Sequence, residues 1–202
     1  MPQDSMREMV SLELEHPIWD RFFLPAPLTV IGSREETGEW DLAPKHMVMP
    51  LSWDNYFGFV CAPSHSTYSN IRREGVFTVS FPRADQVVMT SLTASPRWED
   101  GSKVEVQAVP TVPARFIEGI FVRDSSLLLE CELDRIIDDF GSNSLIAGKI
   151  VAAQVHEEAL RADDRDDQEV IAQSPLLVYL HPGRFTRITR SDSFPFPTGF
   201  RR

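Results

Sequence analysis

The stretch from Pro27 to Pro82 constrains the fold more than any other part of the sequence. Short apolar runs alternate there with turn signals, a pattern that is typical of β-strands. One polar run stops at a glycine and is predicted to be a short helix, since glycine often follows the last helical turn. The predicted elements are strands over Leu28–Ser33, Trp40–Leu51 (kinked at Pro44), Tyr56–Ala62 and Val76–Phe81, and a helix over Ser66–Glu74.

The second half of the chain adds further strands and one segment of little periodicity. The segment 94–117 carries Pro96, Gly101, Pro110 and Pro113, and long irregular segments of this kind are often binding loops or lids. Apolar runs predict a second helix, two long strands and a C-terminal hairpin. The helix is predicted at Asp85–Thr93. The long strands are predicted at Ser126–Ile137 and Ser144–Glu157, with a turn at Asp139–Asn143 between them. The hairpin strands are predicted at Leu176–Leu180 and Arg184–Thr189.

The element order favours a mainly β fold, a β-barrel with peripheral helices, over a doubly wound sheet, because repeating βα units are absent. A chain of 202 residues is sized for one domain. We expect an N-terminal arm at 1–26, in which Pro17 and the run Pro25–Pro27 break regular structure. The domain itself is expected to span 27–190, followed by an extended tail at 191–202.

Charge and cysteine usage narrow the function classes. The net charge of −10 repels nucleic acid and anionic membranes, so neither is expected as a partner. No apolar run approaches the length that spans a bilayer. Cys61 and Cys131 both lie in apolar runs, as buried reduced thiols do, which predicts a cytoplasmic protein. No metal-ligand spacing of cysteine and histidine occurs, so no metal site is expected.

A cluster of hydroxyl groups precedes the predicted helix that ends at Gly75. Ser64, Ser66 and Thr67 lie at its start, where unpaired backbone N–H groups carry partial positive charge. Such a helix start can hold a phosphate group, with Arg72 or Arg73 adding charge. The alternative is purely structural, because serine and threonine are also ordinary N-cap residues.

Taken in order, these motifs resemble the flavin reductase-like family of FMN-binding split barrels, and the resemblance extends over about residues 27–190. The family carries Thr-x-x-Asn-Ile before a helix and a glycine, which Thr67, Asn70, Ile71 and Gly75 match. The loop that begins at Cys61 and Ala62 then corresponds to the family's phosphate-binding loop. The resemblance implies a homodimeric split barrel with FMN at the subunit interface.

A second match to the family lies in the run from Trp40 to Ser52. The family has Asn-x-Ala-Pro or Asn-x-Ala-Thr in a strand whose backbone lines the isoalloxazine ring, followed by a serine. Here Leu42, Ala43 and Pro44 fit the pattern, and Ser52 falls near the expected serine. Asp41 replaces the family's asparagine, and a carboxylate cannot donate a hydrogen bond to the flavin. Without the remaining motifs, the same run is a plain β-bend.

A third match lies in the irregular segment. The flavoredoxin branch has Asp-x-x-Lys before the barrel resumes, and Asp100 and Lys103 fit that spacing. Lys103 or Arg97 is then expected to reach the phosphate or to cover the ring, and Trp98 to stack on the flavin. A solvated loop is the alternative for each of these side chains.

The resemblance implies that FMN performs the redox chemistry, so no catalytic side chain is assigned. The expected activity is NAD(P)H-dependent flavin reduction, with NADH or NADPH as donor and a partner oxygenase or electron-transfer protein as acceptor. Many NADH-using members carry Gly-Asp-His at the turn that is Gly141-Ser142-Asn143 here. The missing histidine favours an alternative, a flavoredoxin-like electron carrier without a nicotinamide site. A third alternative is a non-enzymatic barrel that binds another ligand, such as haem or a deazaflavin, or only a protein.

Overall fold

The computed structural model describes residues 9–99 and 101–199 and is mainly β with short helices. The strands are β1 Leu24–Pro27, β2 Thr29–Arg34, β3 Trp40–Lys45, β4 Val48–Ser52, β5 Tyr56–Cys61, β6 Val76–Phe81, β7 Thr111–Pro113, β8 Ile120–Val122, β9 Leu127–Phe140, β10 Asn143–Val155, β11 Leu176–His181 and β12 Arg184–Ile188. The α-helices are α1 Ser66–Glu74, α2 Val87–Leu92 and α3 Asp167–Gln173. Short 3₁₀ turns lie at Ile18–Arg21, Ala84–Gln86, Val104–Ala108 and Glu157–Ala159.

Seven antiparallel strands form the main sheet in the order β3-β2-β6-β9-β10-β5-β4. The two strands at the ends of this order, β3 and β4, are separated in the chain only by His46 and Met47. The three Cα steps from Lys45 to Val48 span at most about 11 Å, so the two outer strands must lie close together. The sheet is therefore curled into a barrel, and the predicted fold class is confirmed.

The prediction of one kinked strand over Trp40–Leu51 is wrong. β3 pairs with β2, while β4 pairs with β5 on the far side of the sheet order. The chain leaves one sheet edge at His46 and joins the other after Met47. Pro44 does not break β3, because an edge strand has an unpaired side on which a missing N–H costs nothing.

The helix α1 agrees with its prediction at both ends, and Gly75 closes it in the left-handed conformation with φ of 72°. The strand β9 continues beyond its predicted end at Ile137, whereas β10 ends at Val155, two residues before its predicted end. Asp139 and Phe140, predicted as turn residues, are the last two residues of β9.

Apolar side chains of the main sheet fill the barrel interior. A cluster that includes Phe57, Phe59, Phe77 and Ile146 is almost fully buried. Val106 and Val109, from the irregular segment, form a second cluster with strand residues Val30, Leu42 and Val122. The segment 94–117 is therefore anchored to the barrel, and it contains a 3₁₀ turn and β7, which pairs with β8.

A buried carboxylate holds the loop between β7 and β8. Glu130 of β9 is 1% exposed, and its two oxygens accept hydrogen bonds from three consecutive backbone N–H groups. Arg115 N lies 3.0 Å from Oε1, while Phe116 N and Ile117 N lie 2.7 and 3.0 Å from Oε2. The charge of Glu130 thus fixes the loop backbone.

A second sheet has three strands in the order β1-β11-β12, and Tyr179 of β11 contacts His46 between β3 and β4 of the barrel. The prediction that Pro25–Pro27 interrupts regular structure is wrong, because these residues pair with Leu180–Val178 as part of β1. β1 is an edge strand, which tolerates proline on its unpaired side. The arm is thereby tied to the C-terminal hairpin. Within residues 9–99 and 101–199, no helix has the length and apolar composition that crossing a membrane would take.

Candidate functional site

The start of α1 has no side-chain cap. Its N-cap residue is His65, whose side chain makes no capping hydrogen bond, and Ser66 and Thr67 are the first two helical residues. The structural alternative for these hydroxyls, an ordinary N-cap, therefore does not apply here. The Tyr68 N–H donates to the His65 carbonyl at 3.0 Å, so the N–H groups of Ser66 and Thr67 are the first-turn donors that face a ligand.

A cleft of about 430 Å³ opens in front of this helix start. Three parts of the chain form its walls: the loop into α1, the end of β3, and the segment that follows α2. The lining residues are Asp41, Ala43, Pro44, Lys45, Ser64, His65, Ser66, Thr67, Thr93, Ala94, Ser95, Pro96, Arg97 and Lys103.

Two basic side chains of the cleft are paired with the buried carboxylate of Asp41, which is 4% exposed. Lys103 Nζ lies 3.2 Å from Asp41 Oδ1 and donates to the Leu42 carbonyl at 2.8 Å. Arg97 Nη2 lies 3.3 Å from Asp41 Oδ2. Burial lowers the pKa of Lys103, and the charge of Asp41 opposes that shift.

Lys45 is a third basic group of the cleft, and the sequence analysis missed it. It lies at the end of β3, and within the part of the chain that the structure describes no carboxylate lies within 4.0 Å of its ammonium group. Burial, and after it the charge of Lys45, lowers the pKa of the neighbouring His65. The available sequence signal was its position directly after the Ala43-Pro44 pair.

The cleft continues past Pro44 and Ala94 into a second cavity of about 280 Å³ with mainly apolar walls. Leu28, Tyr179 and Phe185 lie along this part. A polar end and an apolar end thus lie next to each other, as a ligand with a charged tail and an aromatic ring requires.

His46 lines the apolar part of the cleft, and two further rings lie next to it. The His46 ring is 4.7 Å from the Tyr179 ring and 5.3 Å from the His181 ring, measured between centroids. His181 Nε2 lies 2.9 Å from Asp20 Oδ1, which links the N-terminal arm to the hairpin. The sequence could not show these contacts, because the residues are far apart in the chain.

The structure brings together most, but not all, of the predicted binding residues. Asp41, Ala43, Pro44, Ser64, Ser66, Thr67 and Lys103 line the cleft. Five others are absent from its walls: Leu42, Ser52, Cys61, Ala62 and Asn70.

These five residues have other surroundings. Leu42 is fully buried, although its carbonyl accepts from Lys103, and Cys61 belongs to the barrel core. Ser52, at the end of β4, accepts a hydrogen bond from Asp54 N. Asn70 Nδ2 donates to Ser33 Oγ at 3.1 Å and ties α1 to β2. Ala62, partly buried, follows β5; the binding roles of all five stay predictions.

Of the other basic and aromatic candidates, only Arg97 lines the cleft. Arg73 is bound to Glu74 and to Asn70 Oδ1 on the outer side of α1, and Arg72 is exposed. Trp98 is 61% exposed and its Nε1 donates to Glu105. Asp100 lies outside the described residues. The stacking of Trp98 on a flavin stays a prediction without a contact to support it.

The sheet is curled into a barrel, and the cleft beside it has basic, hydroxyl-rich walls next to an uncapped helix start, which suits an anionic ligand. The chain matches the model of the flavin reductase like domain family across residues 20–189, and it belongs to that family. The predicted family is therefore confirmed, and members of this family bind flavin.

Solved structures share the fold over nearly the whole chain. Nitrilotriacetate monooxygenase component B from Bacillus cereus is 16% identical with a TM-score of 0.80, over 93% of this chain and 100% of that one. Flavoredoxin from Methanosarcina acetivorans is 20% identical with a TM-score of 0.75, over 95% and 97%. An FMN-binding protein from Thermus thermophilus with bound 1-cyclohex-2-enone is 21% identical with a TM-score of 0.76, over 92% and 99%. At these identities the likeness establishes the fold, a split barrel.

The histidine cluster predicts a pH dependence of stability. Burial, then the charges of His181 and Lys45, lower the pKa of His46 below its ordinary value of 6.5. The unfolded chain therefore takes up a proton first as the pH falls, so the native state loses stability from about pH 6.5 downward. We expect His46→Asn to reduce this loss, measured as Tm at pH 7.5 and pH 5. An equal acid-side drop in both proteins would contradict the assignment, and His16→Asn in the exposed arm is the control.

Proposed function

We propose that this protein binds FMN in the cleft, with the phosphate against the first turn of α1. The observation that carries the proposal is the convergence of open N–H groups, the hydroxyls of Ser64, Ser66 and Thr67, and two lysines on one cleft. The chain has a net charge of −10, so basic groups gathered in one place need a specific reason. A phosphate dianion supplies that reason.

The residues present fit the rest of the cofactor as well. Next to the phosphate end, Pro44 leads into the mainly apolar cavity, which suits a flat aromatic ring. Backbone groups on the unpaired side of the edge strand β3 can hydrogen-bond to the polar rim of that ring. FMN would supply the hydride and electron chemistry there, and the polypeptide would hold the ring, orient it and limit access of water.

We infer that the protein is an oxidoreductase of the NAD(P)H-dependent flavin reductase type. Membership of the family supports this inference, as does the likeness to a monooxygenase component B. The physiological acceptor would then be a partner oxygenase or another small acceptor. The two free, buried cysteines accord with a reducing compartment such as the cytoplasm.

A second candidate function has its own supporting observation. The turn between β9 and β10 consists of Gly141 and Ser142 and carries no imidazole, whereas many NADH-using members have a histidine there. This favours a flavoredoxin-like electron carrier that receives electrons from another protein. The likeness to a flavoredoxin accords with this candidate.

We also propose that two copies of the chain associate. Four large apolar side chains stand exposed on and beside the edge strand β4: Met47 at 50%, Met49 at 55%, Leu51 at 36% and Trp53 at 91%. A contiguous apolar edge of this kind marks an interaction surface. Light scattering after size exclusion is expected to give twice the chain mass of 22.9 kDa, and Trp53→Ser with Met49→Ser is expected to shift it toward one chain.

An absorption spectrum tests the central proposal. The protein, mixed with FMN and desalted, is expected to be yellow, and NADH or NADPH is expected to bleach it without oxygen. A yellow protein that neither nucleotide bleaches would favour the electron carrier. A colourless protein that leaves FMN fluorescence unchanged in titration would contradict FMN binding altogether.

A further inference from the structure

We propose that Asp41 is an internal counter-anion, which competes with the phosphate of the ligand for Lys103 and Arg97. It would thereby set how strongly the cleft prefers FMN to riboflavin. This inference rests on the proposed binding of FMN, because it concerns the affinity of that same site. Asp41 occupies the position where the family has an asparagine, so the effect would be a property of this chain.

The geometry shows that the carboxylate engages the two cations individually. Asp41 Oδ1 lies 3.2 Å from Lys103 Nζ, and Oδ2 lies 3.3 Å from Arg97 Nη2. Asp41 is 4% exposed, and the Lys103 side chain is 12% exposed. Water therefore screens the pair of Asp41 and Lys103 little, while the pair with Arg97, whose side chain is 31% exposed, is screened more.

Lys103 and Arg97 have few N–H donors left for a ligand. An ammonium group has three N–H donors, and Lys103 uses one toward Asp41 and one toward the Leu42 carbonyl. Arg97 Nη2 contacts both Glu35 and Asp41, and its Nη1 donates to the Gly101 carbonyl at 2.9 Å. A phosphate in the cleft would thus have one N–H of Lys103, while most of the Arg97 donors are engaged.

Charge repulsion from Asp41 also lowers the affinity of the cleft for phosphate. Asp41 itself lines the cleft, so a phosphate dianion there would face a buried negative charge at short range. The carboxylate cannot be left unpaired in the interior, so the cations cannot move over to the phosphate completely. Asp41 therefore lowers phosphate affinity in two ways, and a flavin without phosphate does not experience either.

The experiment compares the affinities of the apo-protein for FMN and for riboflavin, measured by quenching of flavin fluorescence. We expect Asp41→Asn to raise the ratio of FMN affinity to riboflavin affinity about tenfold or more, because only FMN carries the phosphate. The matched control is Glu36→Gln, which removes the same charge from an exposed position in the β2–β3 turn. The control is expected to change neither affinity by more than twofold.

A second variant keeps the inference falsifiable if Asp41→Asn folds poorly. The double variant Asp41→Asn with Lys103→Gln removes both members of the buried pair together, and Arg97 keeps its ion pair with Glu35. It is expected to bind FMN within about threefold of the wild type, because the lost attraction and the lost repulsion offset each other. A loss of tenfold or more in this variant would contradict the inference.

The outcomes separate the inference from the function on which it rests. A wild type that does not bind FMN overturns the proposed function and the inference with it. Binding of FMN by the wild type, together with no gain for Asp41→Asn, overturns the inference alone. An equal gain for FMN and riboflavin, or the same gain in Glu36→Gln, would also overturn it.

Discussion

Lys103→Gln is expected to weaken FMN binding about 100-fold and to leave riboflavin binding within about threefold. A charged hydrogen bond to phosphate contributes about 1.5–3 kcal/mol, and tenfold in affinity corresponds to about 1.4 kcal/mol. We expect a loss near the upper end of this range of free energies for a second reason. Asp41 lies 3.2 Å from the ammonium group that the variant removes, so its negative charge would face the phosphate with one cation fewer beside it. Fluorescence titration of the apo-protein with both flavins measures the effect.

The control is Lys149→Gln, which removes the same charge from an exposed position of β10. We expect it to alter FMN affinity by less than threefold, because an exposed charge outside the cleft is screened by salt. If Lys103→Gln weakened riboflavin as much as FMN, the lysine would be holding the shape of the cleft and not the phosphate.

Glu130→Gln is expected to lower the free energy of unfolding by about 3 kcal/mol or more. The carboxylate accepts from three backbone N–H groups, at distances from 2.7 to 3.0 Å, inside the protein. Glutamine carries no charge, and its NH2 group replaces one of the two accepting oxygens and faces the backbone N–H donors. Backbone N–H groups therefore lose their acceptor inside the protein. For a chain of this length we expect the Tm to fall by roughly 6–12 °C in a thermal melt.

Glu132→Gln, two residues further along β9, is the matched control because its side chain is exposed. Its Tm is expected to stay within about 2 °C of the wild type, since exposed charges contribute little to stability. A Tm of Glu130→Gln that is equal to the control would show that the loop at Arg115–Ile117 does not depend on this carboxylate.

Local patterns predicted those elements whose signals lie within the element itself. The helix α1 carries its own stop signal in Gly75, and the hairpins carry turn residues between apolar runs. The division of Trp40–Leu51 into β3 and β4 has no such signal, because it results from which neighbours each half finds in the barrel. The pairing of the proline-rich β1 depends in the same way on a distant partner, β11.

Local patterns likewise predicted some residues of the candidate site and not others. Hydroxyls before a helix and a lysine at the family's spacing were sufficient to predict Ser66, Thr67 and Lys103 as neighbours in one cleft. Lys45 was missed because its position directly after the Ala43-Pro44 pair does not by itself distinguish it from a surface lysine. The ion pairs of Asp41 with Lys103 and Arg97 join residues about 60 positions apart, a relation that only the folded chain reveals.

The most direct test of the central claim is a crystal structure of the protein grown with FMN. The account predicts the phosphate within hydrogen-bond distance of the backbone N–H groups of Ser66 and Thr67, with Lys45 and Lys103 on its other side. Density for FMN with its phosphate elsewhere, or a cleft that stays filled by water at a saturating FMN concentration, would contradict it.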